Sequence, residues 1–448
     1  MEDYRRIADE LAAAIGAGKL RPGEQLPTQR AFARRRGVAG STAARVYREL
    51  VRRGLVVGEV GRGTFVRAGQ GDPAGAVPLA EPAPAGVDME LNYPEVPEQS
   101  ALLAGALAAM VRPDVLGAAL RPVGAAGTAA ARAAFAALAE RAGGVPVRPA
   151  DVLFAGSGRQ VIAGALAALV PPGGRLGVEA LTFPVAKAVA RRLGITPVPL
   201  PMDEHGVLPA ALAAAHRAAP LRAVYLQPRL HNPLGVTADP ARCAELAETV
   251  RKLDLPVVED AIWAFLCPGS TAFAALAPER TILVDSLSKR LAPGLTTGFA
   301  VLPPQLREPV RAALRAGGWA PSGFALEAAV RWAGDGTLAA LERAKRADAA
   351  RRQRLARRLL PGAALRGDPR SYHLWWELPS PWRAEAFVAA AAAAGIALPP
   401  AAAFAVEARA TPSAVRLGLA TAPLPELEQA LRTLRRIASG GPSEPGGG

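Results

Sequence analysis

The chain has 448 residues, half of them hydrophobic, and a net charge of +14. This length suggests roughly two to four domains. No run of about 18 uncharged apolar residues occurs, and the N-terminus has no apolar signal core, so we expect neither a membrane span nor an export signal. Cys243 and Cys267 are too few for a disulfide framework, and neither lies in a metal-ligand motif. We therefore expect a cytoplasmic protein with no bound metal.

The positive charge is unevenly spread along the chain. Residues 1–68 contain 14 basic and 7 acidic residues, so this short segment carries half of the excess. Such an imbalance in a small domain suits a polyanionic partner. The alternative is that the whole chain is rich in arginine and the charge of this segment has no special role, and charge alone does not separate the two interpretations.

The first 68 residues predict three helices followed by a hairpin. Apolar side chains recur at helical spacing over residues 7–15, and Ser41 and Thr42 stand where the N-cap and first turn of a third helix belong. Two short β-runs, residues 55–57 and 64–66, then enclose a glycine-rich turn. This order predicts a winged helix-turn-helix, which places the start of its second motif helix against DNA bases.

The segment Gly18 to Pro27 (GKLRPGEQLP), followed by Tyr47, Leu50 and Gly61-Arg62-Gly63-Thr64-Phe65-Val66, resembles the GntR family of bacterial DNA-binding domains. The resemblance covers nearly all of residues 4–67. It implies that DNA is contacted by Arg30, Ser41, Thr42 and Arg45, and in the wing by Gly61 and Arg62. Ala39-Gly40 stand where the family usually has Ser-Arg, so the operator sequence is not transferable.

Residues 69–88 are rich in glycine, proline and alanine and predict a flexible linker. Beyond them, short apolar runs alternate with alanine-rich helical segments, which predicts a mainly parallel sheet covered on both faces. The predicted strands are residues 152–154, 175–178, 223–226, 256–258 and 281–284. Two long helices are predicted further on, over residues 305–318 and 327–360.

Several chemically useful groups follow the predicted strands, where ligands of parallel sheets gather. Gly156-Ser157-Gly158 precedes a helix whose free N–H groups favour a phosphate. Asn232, Asp260 and Lys289 follow three later strands at intervals of 28 and 29 residues. Lys289 is one of only five lysines in a chain that has 48 arginines. A desolvated lysine, unlike arginine, can lose its proton and condense with an aldehyde. Each group alone is commonly structural, but their order predicts a site.

The motifs Asn232-Pro233-x-Gly235, Glu259-Asp260 and Ser286-x-Ser288-Lys289 resemble the fold-type I aminotransferases, which bind pyridoxal 5′-phosphate (PLP), over roughly residues 92–434. A GntR head on such a body resembles the MocR type of bacterial transcription regulator. The implied architecture is multidomain and homodimeric. It comprises a winged helix-turn-helix over 1–68, the linker 69–88, an α/β PLP-dependent transferase-like large domain over 89–304, a smaller α+β C-terminal domain over 305–438 and a disordered tail over 439–448.

The same resemblance implies the role of each site residue. Lys289 forms the aldimine, Asp260 keeps the pyridine nitrogen protonated, and Phe183 stacks on the ring. Asn232 binds the ring oxygen and, with Arg416, an amino-acid substrate, whose carboxylate Arg416 grips through two parallel hydrogen bonds. The phosphate is held by Gly156, Ser157, Gly158, Ser286 and Ser288.

Two departures from the family pattern predict a weakened PLP site. Thr296 replaces an arginine that pairs with the phosphate, and Ala261-Ile262-Trp263 replaces the tyrosine expected after Asp260. Losing a charge-assisted contact costs on the order of 1.5 to 3 kcal/mol. We hypothesise that Arg159 or Arg290 supplies the missing cation, the alternative being that both face solvent.

Three functions remain open from the sequence. The first is a DNA-binding regulator that senses PLP or an amino acid or amine condensed with it. The second is an active aminotransferase with an accessory head. The third is a regulator whose body no longer binds PLP.

Overall fold

The computed structural model describes residues 4–16, 19–20, 24–53, 55–59, 63–66, 86–144, 146–407 and 411–441. In the first part of the chain, three helices and a small antiparallel sheet enclose one apolar core. The elements are α1 (Tyr4–Gly16), β1 (Gln25–Leu26), α2 (Gln29–Arg36), α3 (Gly40–Arg52), β2 (Val56–Glu59) and β3 (Gly63–Val66). The predicted winged helix-turn-helix is confirmed. Gly61 and Arg62, most of the predicted linker and most of the predicted tail lie outside the described residues.

The turn between α2 and α3 is built by a left-handed residue. Gly37 has φ 64° and donates its N–H back to the last carbonyls of α2, a conformation that glycine adopts without steric cost. The N-cap of α3 is Ala39, which has no capping side chain. Our placement of Ser41 at the N-cap is therefore wrong, because the helix already begins at Gly40; Ser41 and Thr42 both lie in its first turn.

The central part of the chain forms a seven-stranded sheet in the order β5-β13-β12-β11-β10-β6-β7, in which β13 alone is antiparallel to its neighbours. The five predicted strands are confirmed as β5, β6, β10, β11 and β12. The elements of this part are β4 (Val87–Asp88), α4 (Gln99–Met110), α5 (Pro113–Ala119), α6 (Ala129–Gly143), β5 (Val152–Ala155), α7 (Gly158–Leu169), β6 (Arg175–Glu179), α8 (Pro184–Arg192), β7 (Thr196–Leu200), β8 (Met202–Asp203), β9 (Gly206–Val207), α9 (Pro209–Ala218), β10 (Ala223–Leu226), α10 (Pro240–Lys252), β11 (Val257–Asp260), α11 (Phe273–Leu276), β12 (Thr281–Ser286), α12 (Leu287–Arg290) and β13 (Gly298–Val301).

Residues 304–334 form two helices that still pack on the central part, against α7 and α6, and the elements after them form a smaller α+β unit with its own apolar core. Its three-stranded antiparallel sheet has the order β14-β15-β17, and β16 pairs in parallel with β4. The elements from residue 304 onward are α13 (Pro304–Ala316), α14 (Gly323–Gly334), α15 (Thr337–Leu359), β14 (Ala364–Arg366), β15 (His373–Glu377), α16 (Ala384–Ala393), β16 (Ile396–Ala397), β17 (Ala414–Gly418) and α17 (Leu424–Gly440).

The predicted helix over residues 327–360 is wrong as one element. Gly336 has φ 86° and divides it into α14 and α15, because a left-handed residue cannot continue a right-handed helix. The two helices then pack against each other.

Across the described ranges, no single helix has both the length and the apolar composition needed to cross a membrane. Only α4 and α5 taken together meet that test, and they are bent by 97° at the break between them. The same residues contain no group of three or more His, Cys, Asp or Glu side chains able to hold a metal ion.

Candidate functional site

A cleft of about 350 Å³ opens at the carboxyl ends of the central strands. Strands β10, β11 and β12 are neighbours in the sheet, so the residues that follow them meet at one edge. Asn232, Asp260 and Lys289 all line this cleft, as the strand-end pattern predicts. Phe183 and Arg416 line it as well, the latter from β17 of the smaller unit.

The amine of Lys289 is held by the segment that precedes α4. Its Nζ donates to the Asn92 carbonyl at 2.7 Å and lies 3.6 Å from the centre of the Tyr93 ring. Burial lowers the pKa of Lys289 well below its ordinary value, and the positive charges of Arg416 and Arg159 lower it further. The side chain nevertheless keeps some exposure toward the cleft. This environment favours the neutral, nucleophilic amine.

Asp260 is a buried carboxyl with two donors. Tyr225 donates its hydroxyl to Oδ2 at 2.6 Å, and the Ile262 N–H donates to Oδ1 at 3.1 Å. Burial raises the pKa of Asp260 to about 6, although both hydrogen bonds oppose the shift. A cationic partner in the cleft would restore the carboxylate, because an opposite charge nearby favours the ionised form.

Ser157, Ser286 and Ser288 line the cleft, and we call this part of its lining the serine wall. Ser157 caps α7, and Ser286 and Ser288 bring their hydroxyls within 2.8 Å of each other. Gly298 lets the turn before α7 pack closely on β13, because a Cβ at Gly298 would lie 2.2 Å from the Ser157 carbonyl carbon. Gly158 lines the cleft, whereas Gly156 is not among its lining residues; a Cβ at Gly156 would meet the Gln160 side chain at 2.6 Å.

The structure separates the two arginines proposed to compensate for Thr296. Arg290 does not line the cleft; it is buried and pairs with Asp285 at 2.5 Å and with Glu342, so its guanidinium is already engaged. Arg159 lines the cleft and forms no ion pair with any described residue. Thr296 lines it too, and its buried hydroxyl has no hydrogen-bond partner in the described part of the chain.

Arg416 brings a guanidinium from β17 to the lining of the cleft. It donates to Asn232 Oδ1 at 3.2 Å and to the Glu90 carbonyl, while its buried Nε has no partner among the described residues. Burial lowers the pKa of Arg416 to about 10, which leaves it charged at neutral pH. The guanidinium therefore keeps spare donors for an anion, since arginine has five.

Tyr93 and Trp263 also line the cleft; the sequence reasoning missed Tyr93 and named Trp263 only within the segment that replaces the family tyrosine. The Trp263 ring lies 5.3 Å from Lys289 Nζ and so takes up space on the side where the family tyrosine is replaced. Tyr93 belongs to the segment that enters the cleft from far away in sequence. The resemblance to aminotransferases begins near this segment, and that was the only available signal.

On the head, the residues predicted to contact DNA lie at the starts of α2 and α3. Arg30, Ser41 and Arg45 are exposed, and Thr42 is partly exposed. A shallow depression between the two helices is lined by Arg30, Arg34 and Gly40. The face is therefore accessible and carries arginine side chains suited to phosphate contact.

Two known protein families match this chain, one over the N-terminal head and the other over the larger part that follows. The family of bacterial regulatory proteins called gntR matches residues 3–66, and the aminotransferase class I and II family matches residues 118–434. Among solved structures, an archaeal alanine:glyoxylate aminotransferase superposes with a TM-score of 0.72 at 18% identity, covering 79% of this chain and 91% of its own.

Curated relatives share both parts. The HTH-type transcriptional regulator YdeF of Bacillus subtilis is 30% identical over 97% of this chain and 94% of its own length. The HTH-type pyridoxine biosynthesis transcriptional regulator PdxR of Corynebacterium glutamicum is 24% identical over 67% of this chain and 66% of its own. The chain therefore belongs to the MocR-type transcription regulators, in which a GntR-family DNA-binding domain precedes an aminotransferase class I and II domain.

Proposed function

We propose that the cleft binds PLP through Lys289 and that its occupancy by PLP, or by an amino compound joined to it, regulates DNA binding by the head. The observation that carries this proposal is the meeting of Lys289, Asp260 and the serine wall in one cleft. When bound, PLP supplies an aldehyde that combines with amines and an electron-withdrawing ring. The similarity to a pyridoxine biosynthesis regulator supports PLP as the ligand.

The residues present fit this cofactor. The unpartnered Thr296 hydroxyl and the close approach permitted by Gly298 leave a polar wall with room for a phosphate. Asp260, buried and held by Tyr225, is suited to face a protonated ring nitrogen. Phe183 can pack on the ring, and Asn232 can bond its oxygen. Lys289 Nζ, whose neutral form is favoured by burial, would bond the aldehyde carbon.

The effector class follows from Arg416. Arg416 lines the same cleft as Lys289 and acts on the pKa of its amine, so we expect a ligand that carries both an amine and a carboxylate to reach the two groups together. This geometry favours an amino acid over a simple amine. Asn232 holds the guanidinium in place through Oδ1.

Incubation of the full chain with PLP, borohydride reduction and peptide mass mapping test the cofactor proposal. A pyridoxyl group is expected on Lys289 and should be absent from Lys289→Ala. Failure to modify Lys289 would contradict the proposal and favour a body that has lost the cofactor.

An amino-acid panel then separates regulation from metabolism. We expect DNA affinity to change when PLP or an amino acid is added, with little amino transfer. Rapid transamination together with DNA binding that ignores both ligands would favour an aminotransferase with an accessory head.

A further inference from the structure

The excess positive charge of this chain is concentrated in two places. Residues 1–68 hold 14 basic and 7 acidic residues, and α15 alone holds eight basic and two acidic residues within its 23 positions. The rest of the chain carries 31 basic and 30 acidic residues. If arginine enrichment were uniform along the chain, the residues outside these two segments would also carry a large positive charge. Helix α15 is therefore a second basic element, comparable in charge to the DNA-binding head.

The acidic residues of α15 do not neutralise its outer face. Asp348 pairs with Arg352 at 2.7 Å, and Glu342 is engaged by the buried Arg290. Both carboxylates are mostly buried, with about an eighth of each side chain exposed. Their charge is thus taken up by arginines that face the interior.

The outer face carries arginines without counter-charges. Arg351, Arg354 and Arg358 are exposed, and none of their guanidinium groups bonds or pairs with any other residue in the described ranges. Spaced by three and four positions, they share one side of the helix, and they line a groove of about 310 Å³ against the start of α17. Glu428 across this groove is already paired with Arg432 at 2.6 Å.

Arg343 extends this face toward the start of the helix. It is exposed, and its position places it within a quarter-turn of the other three around the helix axis. From Arg343 to Arg358 the face spans roughly 22 Å, the length of about six base pairs of duplex. Flexible cations along such a length match a row of phosphates, and bidentate guanidinium geometry suits each of them.

We propose that the arginine face of α15, comprising Arg343, Arg351, Arg354 and Arg358, is a second DNA-contacting surface. It binds the phosphate backbone and does not read sequence, because the groove presents arginines and apolar side chains, and its one carboxylate, Glu428, is already paired with Arg432. The proposal rests on the DNA-binding function of the head and adds to it a contact made by the aminotransferase-like body. A ligand bound to the aminotransferase-like part would then alter its contact with DNA directly.

Salt dependence of DNA binding by the full chain tests this surface. The probe is a long duplex of random sequence, and the measurement is the slope of log affinity against log salt from fluorescence anisotropy. Each phosphate contact contributes about 0.9 to this slope. The triple variant Arg351→Ala, Arg354→Ala, Arg358→Ala is expected to reduce the slope by about 2 to 3. Replacement of the same three residues by lysine should retain most of it.

The matched control removes the same charge elsewhere. Arg141, Arg217 and Arg222 are exposed and make no side-chain ion pair with a described residue, so their triple alanine variant should keep the slope of the parent protein. An unchanged slope in the α15 variant, or an equal loss in the control, would overturn the proposal. The double variant Arg30→Ala with Arg45→Ala tests DNA binding by the head separately. If this variant loses DNA binding while the α15 variant does not, the head binds DNA and the α15 face does not.

Discussion

Lysine is used sparingly in this chain, and the buried examples share one kind of contact. Lys187 donates to the carbonyls of Ala403 and Ala405, Lys345 to those of Lys289 and Leu291, and Lys289 to that of Asn92. Burial lowers the pKa of both Lys187 and Lys345 to about 7. A neutral amine still has two N–H groups, enough for two carbonyls. Arginine, which does not lose its proton, could not take these positions without burying a charge.

Arg159 is the residue that decides whether the site compensates for Thr296. It lines the cleft with free donors, whereas Arg290 is locked in buried ion pairs. We predict that Arg159→Ala weakens PLP binding roughly tenfold to a hundredfold, the value of a charge-assisted contact. Spectroscopic titration of the full chain with PLP measures this.

Two further variants make the Arg159 test specific. Arg159→Lys should recover part of the affinity, and Arg222→Ala, which removes an exposed arginine far from the cleft lining, should have no effect. Unchanged PLP affinity in Arg159→Ala would show that the serine wall and Thr296 suffice without a cation.

At the scale of elements, the short helix α12 depends on a contact from α15. Lys345 Nζ, fully buried, satisfies the carbonyls of Lys289 and Leu291 at the end of α12. We predict that Lys345→Met lowers the free energy of unfolding by about 1 to 3 kcal/mol, because it leaves buried carbonyls unpaired. Urea denaturation measures the change, with the exposed Lys252→Met as control.

The same substitution should change the pH dependence of stability. The folded pKa of Lys345, about 7, lies below the ordinary value of 10.5, although Glu95, Asp348 and Glu342 oppose the shift. Between those values the unfolded chain binds more protons, so this lysine favours folding increasingly as pH rises. The stability difference between the parent and Lys345→Met should therefore grow from pH 7 to pH 10. A difference that shrinks over this range would contradict a depressed pKa.

Some elements were predictable because their local pattern and their tertiary role agree. Strands β5, β6, β10, β11 and β12 are continuous apolar runs, as strands buried on both faces must be. Strand β7 was missed because Pro197 and Pro199 argue against a strand, yet both are tolerated at the sheet edge that β7 occupies. The break at Gly336 was missed because a single glycine does not reveal its φ angle.

The site shows the same division between local and distant information. Asn232, Asp260 and Lys289 were predictable because each lies at or shortly after the carboxyl end of a strand and these strands are adjacent. Tyr93 and Asn92 were not, since they reach Lys289 across 197 positions of sequence. Contacts of that range depend on how the segment before α4 crosses the sheet edge, which no local pattern specifies.

At the scale of the whole molecule, helices α4 and α5 carry three of the large apolar side chains that are exposed among the described residues. Val111 is 71% exposed at the end of α4, Leu120 is 69% exposed at the end of α5, and Leu102 is 41% exposed on α4. Large exposed apolar side chains grouped on neighbouring helices are typical of interfaces. We therefore infer that α4 and α5 contact a second copy of the chain and so form the homodimer that the family resemblance implies.

We predict that the full chain is a dimer and that Val111→Asp with Leu120→Asp makes it monomeric. Two carboxylates brought into an apolar contact must be desolvated without partners, and in a symmetric interface each substitution acts twice. Light scattering across a concentration series measures the mass. The control is Val51→Asp, which places a carboxylate at an exposed apolar position on α3 of the head and should leave the dimer intact. A monomeric parent protein, or a double variant that remains dimeric, would place the subunit contact elsewhere and leave the α4–α5 surface open to a different partner.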